Sequence, residues 1–169
     1  KKGDTRMRAS GRVQNQEIDL GFQAESIELA ALNINEKLTG SLNLEGVVEG
    51  TVDHPSVKWN INLNQIGYDQ KELDTIKGRF SLKENILKLN NIVWLLEDSS
   101  YKVKGKILEV LTDPEFNLNI STKDGNINKL LKLAGNGDIP LNIDYKLNGK
   151  ALISGPFTNP VIEMDLSAY

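Results

Sequence analysis

Strict alternation of apolar and polar positions is the dominant pattern along this chain. Apolar residues at every second position predict β-strands that bury one face and expose the other. The clearest case is SVKWNINLNQI, residues 56–66. About eleven such strands are predicted, separated by turn residues at roughly ten-residue spacing. The apolar positions that we expect to share one face are Leu42, Leu44, Val57, Trp59, Ile61, Leu63, Phe80, Leu82, Leu87, Leu89, Phe116, Leu118, Ile120, Leu141, Ile143, Tyr145, Leu147, Ile162, Met164 and Leu166.

The way these strands alternate also indicates how they pair. Strands of a parallel sheet are covered on both faces and read as continuous apolar runs, whereas antiparallel strands with one wet face alternate cleanly. Nearly every strand here alternates. The sequence therefore predicts an all-β fold built on an antiparallel sheet.

Two segments depart from the alternation and predict short helices, near residues 25–33 and 126–134. The first reads ESIELAAL and the second NINKLLKLA. In the second, Asp124 or Asn126 is placed to cap the helix and Gly135 to end it. Two-turn helices are marginal alone, so we expect both to dock on the sheet.

Composition narrows the range of functions. The length of 169 residues fits one domain, and a net charge of −3 excludes the one-sided positive field that nucleic-acid binding needs. The chain has no cysteine and one histidine, His54, in a pre-proline turn, which argues against thiolate or multi-histidine metal sites and a Ser-His-Asp triad. No convergent carboxylate pair is recognisable. We therefore expect a non-enzymatic protein without metal or cofactor.

A degenerate repeat runs through the chain, at residues 46–66, 105–122 and 149–168. In the first and last copies a glycine stands five residues before a proline, at Gly50/Pro55 and Gly155/Pro160. The middle copy keeps only the more distant glycine, nine residues before Pro114. Each copy continues into an alternating strand, so the prolines punctuate strand starts, where a missing N–H costs little.

This succession of glycine, Asp/Asn-x-Pro type turn and alternating strand resembles the TamB and AsmA-like family of diderm bacteria, relatives of the repeating β-groove lipid-transfer proteins. The resemblance implies an elongated antiparallel sheet curled into a β-taco, or trough, with an apolar interior. It implies a periplasmic location, a parent chain anchored in the inner membrane, and phospholipid transfer between the two membranes. On this interpretation the chain is an internal segment of a longer trough.

Periodicity alone leaves two interpretations of the apolar face, a closed core and an open groove for acyl chains. The resemblance implies the groove, lined by the apolar positions named above, and a charge at Ile61, Leu118 or Ile143 should then obstruct it. Four glycines on the apolar face either curl the sheet or relieve crowding, namely Gly46, Gly78, Gly105 and Gly149. The alternative function is a scaffold for outer-membrane protein assembly, acting with a barrel partner by strand addition at an open sheet edge.

Overall fold

A computed structural model describes residues 5–33, 36–69, 71–96, 98–126 and 146–168. These residues form one antiparallel sheet of ten strands, arranged in the order of the sequence. The strands are β1 (Arg6–Gln14), β2 (Glu17–Glu28), β3 (Leu38–Thr51), β4 (Pro55–Tyr68), β5 (Lys71–Lys83), β6 (Ile86–Leu96), β7 (Ser99–Leu108), β8 (Glu115–Asn126), β9 (Lys146–Pro156) and β10 (Val161–Ala168). Because β1 and β10 each pair on one side only, the sheet is not closed.

The pairing register joins the alternating patterns of all ten strands. Residues directly opposite each other in an antiparallel pair project to the same face. Trp59 of β4 lies opposite Gly46 of β3 and Phe80 of β5. Phe80 lies opposite Leu89 of β6 in turn. One face of the sheet, the apolar face, therefore carries the apolar positions, and the opposite polar face carries their asparagine, lysine and serine neighbours.

Each repeat copy includes the turn of a β-hairpin, formed by β3–β4, β7–β8 or β9–β10. In each hairpin the glycine of the outgoing strand lies opposite a large apolar residue of the return strand. These pairs are Gly46 with Trp59, Gly105 with Leu118, and Gly149 with Leu166. The repeat in the sequence is thus a repeat of hairpin turns and of glycines facing bulky partners.

The helix predicted near residues 25–33 is wrong. Strand β2 continues to Glu28, and a single 3₁₀ turn follows at Leu29–Leu32. The register shifts between Ala24 and Ile27, and Ser26 adopts a φ of 55°. A β-bulge adds one residue to a strand, so Ala24 and Ile27 both lie on the apolar face although they are three residues apart. That spacing imitates the helical period.

The second predicted helix lies outside the described residues, except that Asn126 ends β8. Three predicted face positions, Leu141, Ile143 and Tyr145, also lie outside them. In the described part of the chain the strands run from 8 to 14 residues, and ten replace the roughly eleven expected. The strands that carry bulges continue beyond the point where their alternation is interrupted, because a bulge does not end a strand.

The same kind of bulge recurs in every even-numbered strand from β2 to β8. The register shifts between Ala24/Ile27, Leu63/Ile66, Leu89/Ile92 and Thr122/Gly125. A polar residue with positive φ lies inside each shift: Ser26, Gln65, Asn91 and Asp124. Bulges bend a strand and increase its twist. This sheet therefore has a bend built into alternate strands.

Among the described residues, burial is confined to one end of the sheet. At this end β2 joins β3, β4 joins β5, β6 joins β7, and β8 leads toward β9. We call it the bulged end. Relative exposure there falls to 3% at Leu96 and Tyr101 and to 1% at Ser99. The remaining buried residues, Ala24, Ile27, Leu29, Ile66, Ile92 and Leu147, lie in the same half of the sheet. The side chains of Tyr101 and Ser99 also form hydrogen bonds to β8. The Tyr101 hydroxyl donates to Asn126 O and the Ser99 hydroxyl donates to Asp124 O, each at a distance of 3.5 Å.

We expect Gly78→Ala to lower the free energy of unfolding by about 1 to 3 kcal/mol, the usual cost of overpacking. A Cβ at position 78 would collide with the side chain of Ile92 and lie 2.9 Å from its Cα. Gly21→Ala is the matched control, because a Cβ there meets its nearest atoms only at 3.9 Å. Urea denaturation measures both. Equal stability of the two variants would contradict the packing described here.

Candidate functional site: the apolar face

Every predicted groove position that is described lies on the apolar face. Cross-strand partners connect them from β3 to β10; one such row joins Leu44, Ile61 and Gly78. Another runs from Val103 through Ile120 and Ala151 to Met164. The alternation therefore identified residues that are scattered in sequence and brought together by the register.

Away from the bulged end this face is only half-buried. Leu44, Ile61, Phe80 and Leu118 are all intermediate in exposure, whereas their polar neighbours Asn60 and Asn117 are exposed. Exposure rises at the β10 edge, to 55% at Ile162, 66% at Met164 and 46% at Leu166. Side chains of a closed core would be buried along the whole strand. The central and β10-side parts of the face are accessible from outside.

Two aromatic pairs on the apolar face join neighbouring strands. The rings of Trp59 and Phe80 stack with centroids 5.6 Å apart, joining β4 to β5 near the middle of the sheet. Trp94 and Tyr101 pair at 5.0 Å between β6 and β7 at the bulged end. Trp94 Nε1 also donates a hydrogen bond of 2.7 Å to Leu73 O. Such pairs contribute about 0.5 to 1.5 kcal/mol beyond area burial.

Side chains lie close to Gly46, Gly78 and Gly149 on this face, whereas a Cβ at Gly105 would meet only the backbone of β8 among its nearest atoms. A Cβ at Gly46 would lie 2.5 Å from Phe22 Cζ and 2.8 Å from Trp59 Cβ. At Gly149 it would lie 2.6 Å from Leu166 Cδ2. Side chains converge in this way when the face that carries them is crowded, and a glycine then supplies the missing room. A Cβ at Gly21, on the polar face, would make only ordinary van der Waals contact, with Ser10 O and Oγ at 3.9 Å.

The sequence prediction missed the contribution of β1 and β2 to the face. Ile18, Leu20 and Phe22 of β2 lie opposite Gly50, Val48 and Gly46 of β3. The signal was present, since IDLGFQA, residues 18–24, alternates as clearly as any other segment. Ile153 of β9, opposite Leu118, was missed in the same way.

The polar face carries a separate cavity of about 930 Å³ that spans β1 to β6. One cross-strand row lines it: Arg8, Gln23, Glu45, Asn60, Arg79 and Asn90. Among the described lining residues Glu45 is the one carboxylate, and its Oε1 accepts a hydrogen bond of 3.0 Å from Asn60 Nδ2. Hydrolysis by a pair of carboxylates, one acting as acid and one as base, would need a second carboxylate in this cavity.

Histidine and acidic side chains are the remaining candidates for chemistry. His54 is exposed in the β3–β4 turn, where its N–H donates to Thr51 O over 3.1 Å. No group of three or more histidine, aspartate or glutamate residues in the described ranges is placed to hold a metal ion. None of the described residues forms a helix long and apolar enough to cross a membrane.

Comparisons of the chain with protein-family models, curated proteins and solved structures found no match. The features that bear on function are therefore the sheet itself and the pattern of its two faces.

Proposed function

We propose that this chain is a non-enzymatic lipid-binding segment whose apolar face shields the acyl chains of phospholipids, and that the sheet curls around that face as a trough. The observation that carries the proposal is the continuity of a half-buried apolar face across an unclosed sheet. Transfer of an acyl chain onto such a face is favourable by about 0.8 kcal/mol per buried CH₂.

Three features support a trough rather than a flat sheet. Bulges in β2, β4, β6 and β8 bend the strands, and glycines on the apolar face make room where side chains crowd. The lining is aliphatic for most of its length, which suits acyl chains. Lipid head groups would stay in water at the groove mouth. Because neighbouring rows are similar, a chain could slide from one row to the next.

The resemblance to the TamB and AsmA-like family extends this proposal to a place in the cell. We propose a periplasmic segment of a longer protein anchored in the inner membrane, which moves phospholipid toward the outer membrane. The repeated Gly/Pro hairpins and the in-order antiparallel sheet support this assignment.

Photo-cross-linking from single positions tests the acyl groove. A photoreactive amino acid at Ile61, on the apolar face, is expected to form adducts with phospholipid from added vesicles of neutral phosphatidylcholine. The same amino acid at Asn60, the next residue on the opposite face, is the control. Adducts detected by mass spectrometry at both positions, or at neither, would contradict an acyl site on this face.

The second candidate function is strand addition to an unfolded outer-membrane protein. It is favoured by the β10 edge, which among the described strands pairs only with β9 and exposes Ile162, Met164 and Leu166. Unpaired edge backbone is a template for another strand. A photoreactive residue at Ser167 should then capture an unfolded barrel-strand peptide, and Ile61 should not. Capture of the peptide at Ser167 without lipid adducts at Ile61 would favour the scaffold function over lipid binding.

A further inference from the structure

The charges of the strands are segregated across the sheet. Strands β2 and β3 carry acidic residues and no basic ones: Glu17, Asp19, Glu25, Glu28, Glu45 and Glu49. In β6 to β9 lysine predominates, at Lys88, Lys102, Lys104, Lys106, Lys123, Lys146 and Lys150, against the carboxylates Glu115 and Asp124. The net charge of −3 thus conceals a basic region on one half of the sheet.

Five exposed lysines at the centre of this region define what we call the lysine patch: Lys88, Lys102, Lys104, Lys106 and Lys150. Lys88 lies directly opposite Lys106, a like-charge arrangement that destabilises a sheet. Within the described residues none of the five makes an ion pair, whereas Lys37, Lys58 and Lys83 do. Folding alone therefore gives no reason for this concentration of charge.

The residues beside the lysine patch on β8 add hydrogen-bonding groups, and one carboxylate, Asp165 of β10, lies opposite Lys150. On β8, Ser121, Asn119 and Asn117 lie opposite Lys102, Lys104 and Lys106. Two shallow concavities open here, of about 470 and 450 Å³. Lys102, Lys104 and Lys150 line the first, and Lys88, Lys104 and Lys106 line the second. Along β7 successive lysines are about 7 Å apart, at two residues of strand rise each.

We propose that the lysine patch docks the sheet onto the phosphate groups of an anionic lipid bilayer. Lysine is a mobile point charge suited to many similar phosphates, whereas a specific phosphate pocket would use the planar fork of arginine. Stable protein partners need buried aromatic or aliphatic anchors. Beside these lysines Val93 and Leu152 are aliphatic, but asparagine and serine predominate and no described aromatic residue lies directly opposite a lysine of the patch. Clusters of four to eight basic residues bind anionic membranes in this manner. The docking surface is the face opposite the acyl groove and does not depend on it.

Co-sedimentation with vesicles tests this docking. The chain should bind vesicles containing one third phosphatidylglycerol at low salt, and should not bind pure phosphatidylcholine. The triple variant Lys88→Gln, Lys104→Gln, Lys106→Gln should lower the partition coefficient onto these vesicles by roughly 100-fold, because each lysine contributes about fivefold. The control triple variant Lys37→Gln, Lys58→Gln, Lys83→Gln removes the same charge outside the lysine patch and should bind as the unmodified chain does.

The stability of the variants separates docking from a structural role. Removing Lys88 and Lys106 relieves repulsion between opposite strands, so thermal unfolding should not shift downward, and Lys→Arg at the three positions should retain binding. If the triple variant unfolds, Lys104→Gln alone carries the test, with about a fivefold loss. Equal loss in the control variant, or equal binding to neutral vesicles, would overturn the proposal. So would stoichiometric binding of inorganic phosphate in calorimetry, which would indicate a small-anion site.

Discussion

Leu118→Asp is expected to lower the molar ratio of phospholipid to protein in the purified chain at least tenfold. Leu118 lies half-buried on β8, opposite Gly105 and Ile153, near the middle of the apolar face. A carboxylate in contact with acyl chains loses water without gaining a partner, which costs several kcal/mol. Solvent extraction and mass spectrometry of the purified variant give the ratio.

The control for this variant is the neighbouring residue. Asn117→Asp adds the same charge one position away, on the polar face opposite Lys106, and retains nearly the same side-chain shape. It should keep the lipid content of the unmodified chain. Circular dichroism must show that both variants retain the sheet. Full lipid content in a folded Leu118→Asp variant would refute the groove.

The largest loss of stability is expected at the bulged end. Leu96→Ala should lower the free energy of unfolding by about 2 to 5 kcal/mol, through lost burial and the cavity left behind. Leu96 is 3% exposed at the end of β6, opposite Ser99. Because the middle of the face is only half-buried, the sheet depends on this end for its packing.

Leu95→Ala is the matched comparison, since Leu95 lies on the opposite face and is 39% exposed. Leu95→Ala should lower the free energy of unfolding by less than about 1 kcal/mol. Urea denaturation monitored by tryptophan fluorescence measures both variants, because Trp94 is adjacent. Similar costs at positions 95 and 96 would show that the bulged end is not the packed part of the molecule.

The fold class and most of the apolar face could be predicted because successive side chains of a β-strand point to opposite faces of the sheet. Phe116, Leu118 and Ile120 needed only period two to be assigned to one face, and the register confirms them. Antiparallel pairing followed from the polar alternate positions. The central residues of the candidate site were therefore recognisable before any pairing was known.

The bulges could not be predicted from periodicity, because a bulge changes the period for one step. Ala24 and Ile27 imitated a helix for that reason, and LNQI and LNNI, residues 63–66 and 89–92, carried the same spacing inside strands. The recurring signal is an apolar pair three residues apart with a polar residue between them that tolerates positive φ, such as Asn91.

The lysine patch also lay beyond sequence reasoning. Lys88 and Lys106 are 18 residues apart in the chain and face each other only through the β6–β7 register. The net charge of −3 argued against a one-sided positive field, because the acidic strands β2 and β3 offset the basic ones in the sum. Charge segregation of this kind becomes visible only when strand order and register are known.

The most direct test of an acyl-binding apolar face is native mass spectrometry of the unmodified chain, with lipid extraction against a mock purification that lacks the protein. The account predicts protein ions carrying phospholipid masses, and extracted phospholipid well above the mock level. A folded, monomeric chain that carries no lipid, and takes up none from added vesicles, would contradict it.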